Sequence, residues 1–168
     1  MKKNKLILLI LLLLLVTGCT TKTESGTEIN SKSDTSKSKG TLLCTRSGTA
    51  QGNAEVSLNY EVRYKKGYVL SVHSEEKIIS NDSSILDQYE DAYKNIFKAY
   101  KDLKHYTNTV TRESNSVTSD TLIEYDKVDM DKLKEIENSD QSVIKDGKVA
   151  LKDWLEFAEK FGTKCEEM

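Results

Sequence analysis

Between Glu55 and Lys65 apolar and polar residues alternate without a break, with Val56, Leu58, Tyr60, Val62 and Tyr64 on one side and Glu55, Ser57, Asn59, Glu61 and Arg63 on the other. Successive side chains of a strand point to opposite faces, so this period of two predicts a strand with one face buried and the other in water. Such a strand needs partners. Leu42 to Arg46 precedes it, and Tyr68 to Ile79 follows through a Lys66-Gly67 turn, with Tyr68, Leu70 and Val72 expected on one face. An antiparallel meander results.

The pattern then changes period. Asp82, Ser83 and Ser84 offer helix N-caps, with Asp87 at capping-box distance from Ser84, and Ile85, Leu86, Tyr89, Tyr93, Ile96, Phe97, Tyr100 and Leu103 follow at helical spacing. One long amphipathic helix is expected there. Tyr106 to Glu113 and Val117 to Lys127 return to strand content around a Ser114-Asn115-Ser116 turn, a second hairpin. Asp129 can cap a short helix through Ile136, and a polar loop with an Asp146-Gly147 turn follows. Leu151, Trp154, Leu155, Ala158 and Phe161 mark a last helix that Gly162 ends. The expected fold class is α+β: a single antiparallel sheet of about five strands, with one long helix and C-terminal helices packed on one face.

The N-terminus belongs to none of this. Lys2, Lys3 and Lys5 precede an unbroken apolar run of eleven residues, Leu6 to Val16. A membrane-spanning helix needs about 20 residues, so the run reads as the core of a signal peptide, residues 1–18. Val16-Thr17-Gly18-Cys19 resembles the lipobox of bacterial lipoproteins, which makes Cys19 the expected lipid attachment site. From Thr20 to Gly40 Ile29 is the only large apolar residue, too little burial to offset ordering. Residues 19–40 are therefore expected as a lipidated cysteine and a tether reaching about 25 Å as a coil and about 70 Å drawn straight. Residues 41–168 are left as one extracytoplasmic domain.

The chain has 25 basic and 27 acidic residues; removal of Lys2, Lys3 and Lys5 leaves 22 and a net charge of -5. That balance gives no basis for nucleic-acid binding, and it repels an anionic bilayer, so attachment to the membrane falls to the lipid. With Cys19 acylated, Cys44 and Cys165 remain as an even pair in an oxidising compartment, where a disulfide is expected. The other reading is two buried thiols acting as small apolar residues.

Candidate chemistry is thin. His73 is expected in solvent with Glu75 and Glu76 nearby, too few ligands for zinc, and His105 is expected as a cation beside a helix C-terminus. Glu124, Asp126, Asp129 and Asp131 crowd together, but Leu133 and Lys134 occupy the positions where a calcium loop needs an oxygen ligand and its turn glycine. Capping and solvation explain the run better, and neither a metal nor a cofactor is expected. Of the eight tyrosines, Tyr60, Tyr64, Tyr89, Tyr93 and Tyr100 take core positions. Tyr106 and Tyr125 remain as ligand-binding candidates at an uncovered sheet face. No nucleophile elbow or phosphate loop occurs, so no catalytic residue is assigned.

At Tyr125-Asp126-Lys127-Val128-Asp129-Met130-Asp131-Lys132-Leu133, within this order of strands, helix and hairpin, the chain resembles the YehR-like lipoproteins, a family catalogued as a domain of unknown function. The resemblance covers about Leu42 to Cys165. It implies the fold and a place in the envelope and supplies no catalytic residues. The expectation is a membrane-anchored lipoprotein on the extracytoplasmic face, a non-enzymatic module binding a small ligand or an envelope protein. The rival readings are a wall-acting enzyme or enzyme inhibitor and a purely structural surface protein.

Overall fold

The alternating segment becomes β2 (Glu55–Lys65) in a computed structural model that describes residues 39–137 and 143–168. The expected signal peptide, Cys19 and the tether up to residue 38 lie outside the described residues. The first strand, β1 (Lys39–Thr49), starts two residues inside the segment expected as tether and pairs with β2 along its whole length. Gly40 belongs to the strand because Tyr64, directly opposite, lays its ring across it. A Cβ there would sit 2.4 Å from the Tyr64 hydroxyl.

Lys66 and Gly67 both adopt positive φ, 52° and 76°, the geometry of a tight hairpin turn into β3 (Tyr68–Ile79). One expectation fails here. Tyr64 pairs with Val69 and Arg63 with Ser71, which leaves Leu70 as an extra residue on β3. This bulge reverses the alternation, so Val69 is buried while Tyr68 is 43% exposed and lies under the Lys148 ammonium, 4.9 Å from its ring centre. Tyr68 is therefore not a core residue beside Val72.

Helix α1 (Ser83–Phe97) is capped by Asp82, whose carboxylate accepts the Ser84 amide at 2.9 Å. Asp87 does not close a capping box; it meets the Arg112 guanidinium at 3.4 Å. The helix is also shorter than expected. Phe97, Tyr100 and Leu103 recur every three residues, and the chain follows them into a 3₁₀ turn at Lys98–Tyr100. Strands β4 (Tyr106–Arg112) and β5 (Ser116–Glu124) then form the expected second hairpin.

Helix α2 (Met130–Glu137) is capped by Asp129, which accepts the Lys132 amide at 3.0 Å. The expected polar loop instead carries a small hairpin, β6 (Ile144–Lys145) and β7 (Lys148–Val149), turned by Asp146 and Gly147 at φ 51° and 69°. Helix α3 (Leu151–Lys160) ends at Gly162, φ 76°, with Gly162 N–H donating to Glu159 and Thr163 N–H to Ala158. A last strand, β8 (Lys164–Glu167), was not expected.

The large sheet has six strands rather than five, in the order β4-β5-β3-β2-β1-β8, and every pairing is antiparallel. β3 and β4 therefore run parallel on either side of β5, and α1 makes the crossover between them. Cys44 and Cys165 stand opposite each other on β1 and β8 and form the expected disulfide, 121 residues apart in sequence. No helix among the described residues is long and apolar enough to cross a membrane.

Helices and apolar side chains share one face of the sheet, where the core divides in two. One cluster, around Leu42, Val62, Val72, Leu133 and Trp154, lies under α2 and α3. The other, around Ala54, Ile78, Leu86 and Val117, lies under α1. The opposite face is polar, with His73 paired to Asp120 at 2.8 Å on its surface.

Candidate functional site

The polar seam between the two clusters is built by register. Arg46, Leu58, Glu76, Ser119 and Val110 lie in one row across the sheet, and Cys44, Tyr60, Ser74, Thr121 and Asn108 in the next, all on the helix-covered face. Asn108 stitches β4 to β5 by donating to Thr121 Oγ1 at 2.7 Å and Ser119 Oγ at 3.1 Å. Those two hydroxyls belong to residues only 4% and 6% exposed, so the amide satisfies groups that have little access to water.

At the β4 margin this seam opens into a groove of about 650 Å³ between the strand and the last turns of α1. Tyr100 and Tyr106 stack there at 4.6 Å with their rings 16° from parallel, and Phe97 tilts against both. Lys94, Lys98 and Lys101 also line it, and no carboxylate does. Lys94 is held by Glu90 and Lys101 lies 4.0 Å from Asp102, while Lys98 has no ion-pair partner among the described residues. The rows of an acidic protein thus converge on a cationic and aromatic opening.

Tyr106 reaches this groove, but from the covered face of the sheet rather than the open face expected from the sequence. Its ring is partly buried against Tyr100, and burial pushes its hydroxyl well above the ordinary phenol range. Tyr125 does not join it. That side chain packs against the cluster beneath α2 and α3, its hydroxyl also raised by burial, and it does not line the groove. Burial keeps both phenols neutral.

His105 adopts φ 64°, lies five residues beyond the 3₁₀ turn that ends at Tyr100 rather than at a helix C-terminus as expected, and pairs through Nδ1 with Glu124 at 3.1 Å. Glu124 also takes the Lys127 ammonium, which with His105 holds its carboxyl below the usual range. Asp129 caps α2, and no metal-binding cluster of histidine, cysteine or carboxylate occurs among the described residues.

The residue that sequence reasoning misplaced is Glu76. Alternation along β3 sends it away from His73 and Glu75 to the covered face, beneath α1. Tyr60 from β2, Arg46 from β1 and Tyr89 and Tyr93 from α1 surround its carboxyl, which is raised to about 7, chiefly by burial and in part against the pull of the Tyr93 hydroxyl and Arg46. A period-two reading carried past the bulge at Leu70 would have found it, because Glu76 shares parity with Val72 and Ile78.

The folded protein holds that proton more tightly than the unfolded chain does, so stability is full below about pH 4.5 and falls as pH rises toward 7. A separation of this size corresponds to about 3 kcal/mol. Glu76→Gln is therefore expected to match the parent protein near pH 4.5 and to exceed it by about 3 kcal/mol at pH 8 in urea titrations. An equal offset at both pH values would refute this account.

The arrangement has a counterpart of known structure. The NMR structure of Escherichia coli YehR superposes with a TM-score of 0.52 at 18% identity, covering 77% of this chain and 92% of that one. The fold is that of YehR. At this identity the likeness is one of architecture, and it bears out the resemblance read around Tyr125 to Leu133 at that level. An NMR structure of a protein from Streptococcus pneumoniae TIGR4 covers 89% of this chain and 100% of its own, at 16% identity and a TM-score of 0.46. No protein-family model matches the chain, and no match was found among curated proteins.

Proposed function

We propose that the chain is a lipid-anchored, extracytoplasmic binding module of the bacterial envelope that receives its ligand at the β4 groove. The observation that carries this reading is the lining of the groove, three lysines and a stacked tyrosine pair without a carboxylate, in a domain whose net charge is acidic. Cations focus an anionic ligand there, and the aromatic wall supplies contact area. The groove phenols are held protonated by burial and offer no base, which suits recognition better than turnover. Cys19 carries the acyl anchor in this reading, and residues 20–38 give the module its reach.

A photo-crosslinking residue placed at Val110, whose side chain lies on the covered face and lines the groove, tests both halves in cells. It is expected to capture a distinct species that the same residue at the exposed Glu61 on the opposite face does not, and Cys19→Ser is expected to abolish metabolic lipid labelling. Equal capture from both faces would remove the groove as the site. Undiminished labelling of Cys19→Ser would remove the anchor.

A further inference from the structure

β4 is the terminal strand of the sheet, and its outer edge is unlike the other one. At the far side β8 has only four residues, three of them charged, the usual way of discouraging strand addition. β4 has seven, Tyr-Thr-Asn-Thr-Val-Thr-Arg, with no proline, no bulge in its pairing with β5, and a charge only at its end. Arg112 at that end is engaged by Ser83 and Asp87 of α1, so it fixes the strand rather than guarding it.

The direction of the free hydrogen bonds follows from the two ends of the hairpin. Glu124 N–H donates to the His105 carbonyl at 3.0 Å and Glu113 N–H to Ser116 at 2.8 Å. In an antiparallel pair the bonded positions recur every second residue, so positions 105, 107, 109, 111 and 113 turn toward β5. Tyr106, Asn108 and Val110 turn their N–H and C=O groups outward, along the rim of the groove. Their side chains lie on the covered face, where Lys94, Lys98, Lys101 and Phe97 stand beyond them.

We infer that the ligand of this groove is an extended acidic segment of another protein, which adds to β4 as a seventh strand and points its alternate carboxylates at Lys94, Lys98 and Lys101. The inference rests on the binding reading above and deepens it. Backbone bonding to an open edge supplies affinity that does not depend on side chains, while a pocket beside every second residue supplies choice. Charge complementarity selects the partner, because Lys98 has no ion-pair partner among the described residues and Lys94 and Lys101 flank it along the groove, in a domain that is otherwise acidic.

The test uses the full chain in detergent with a labelled eight-residue peptide of alternating glutamate and valine. Saturable binding is expected, with affinity at least tenfold above that of the lysine-valine counterpart. Val110→Pro removes one outward donor without taking a bond from β5, and it is expected to weaken binding tenfold or more; methylation of alternate peptide nitrogens removes the bonds from the ligand's side and leaves the protein untouched. The triple replacement of Lys94, Lys98 and Lys101 by glutamine is expected to abolish the preference for the acidic peptide. Binding that survives peptide methylation, or that ignores peptide charge, would overturn strand addition. Polyglycerol phosphate or phosphatidylglycerol vesicles bound by the parent chain, released by the triple glutamine variant and indifferent to Val110→Pro would also overturn it, yet would keep the groove as an anion site. Absence of binding by all three probes would overturn strand addition, and with equal crosslinking from both faces in cells the groove itself would fall.

Discussion

Replacing Cys44 and Cys165 together by alanine is expected to lower the unfolding free energy by about 4 kcal/mol, because the bond closes a loop of roughly 120 residues and the unfolded chain without it gains the entropy of that whole loop. Both residues sit in the ladder, Cys44 fully buried on β1 and Cys165 opposite it on β8. The four residues of β8 carry little apolar area of their own, so the strand depends on the link and on Tyr64, whose hydroxyl donates to Glu167 at 3.1 Å. Urea titration followed by fluorescence of the single tryptophan measures the loss, and reduction of the parent protein should reproduce it. An unchanged midpoint in the double variant would show that the disulfide constrains nothing the sheet does not already hold.

Trp154→Ala is expected to cost about 3–5 kcal/mol, the range for deleting a large buried aromatic side chain. Trp154 is 5% exposed and meets Tyr60 edge to face, ring centres 5.4 Å apart and planes at 89°. Tyr60 stands in the polar seam between the two clusters, so the indole is what joins α3 to the middle of the sheet. Circular dichroism during urea unfolding measures the cost. Trp154→Phe should recover about half of it, and a loss below 1 kcal/mol in the alanine variant would mean the cavity collapses without penalty.

Much of this architecture was legible because strong periods survive packing. The alternation of β2, the Asp82 to Ser84 cap region, the Asn115 turn and the Gly162 stop each follow local chemistry that tertiary contacts reinforce. What was hidden shares one cause, a break in period. The bulge at Leu70 turned Tyr68 outward, the change to three-residue spacing after Phe97 shortened α1, and β8 is too polar and too short to show alternation at all. Cys165 was its sole sequence signal. The candidate site was half visible: Tyr106 was named, but Lys94, Lys98 and Lys101 carry no sequence signal of a site, and only the fold sets them beside the edge of β4. Tyr125 was named for the same reason as Tyr106 and went to the interior, since hairpin position alone does not say which face a helix will cover.

The place of β1 gives the molecule a mechanical character. A pull directed along β1 from its Lys39 end would load a strand bonded to β2 over eleven residue pairs and to β8 over four, with a covalent rung at Cys44. Load in that direction shears many hydrogen bonds at once instead of peeling them singly, and a partner held at β4 hangs on the opposite edge of the same sheet. With the anchor and partner proposed above, tension between them would cross five strands in series, β1, β2, β3, β5 and β4, each joined to the next by antiparallel pairing.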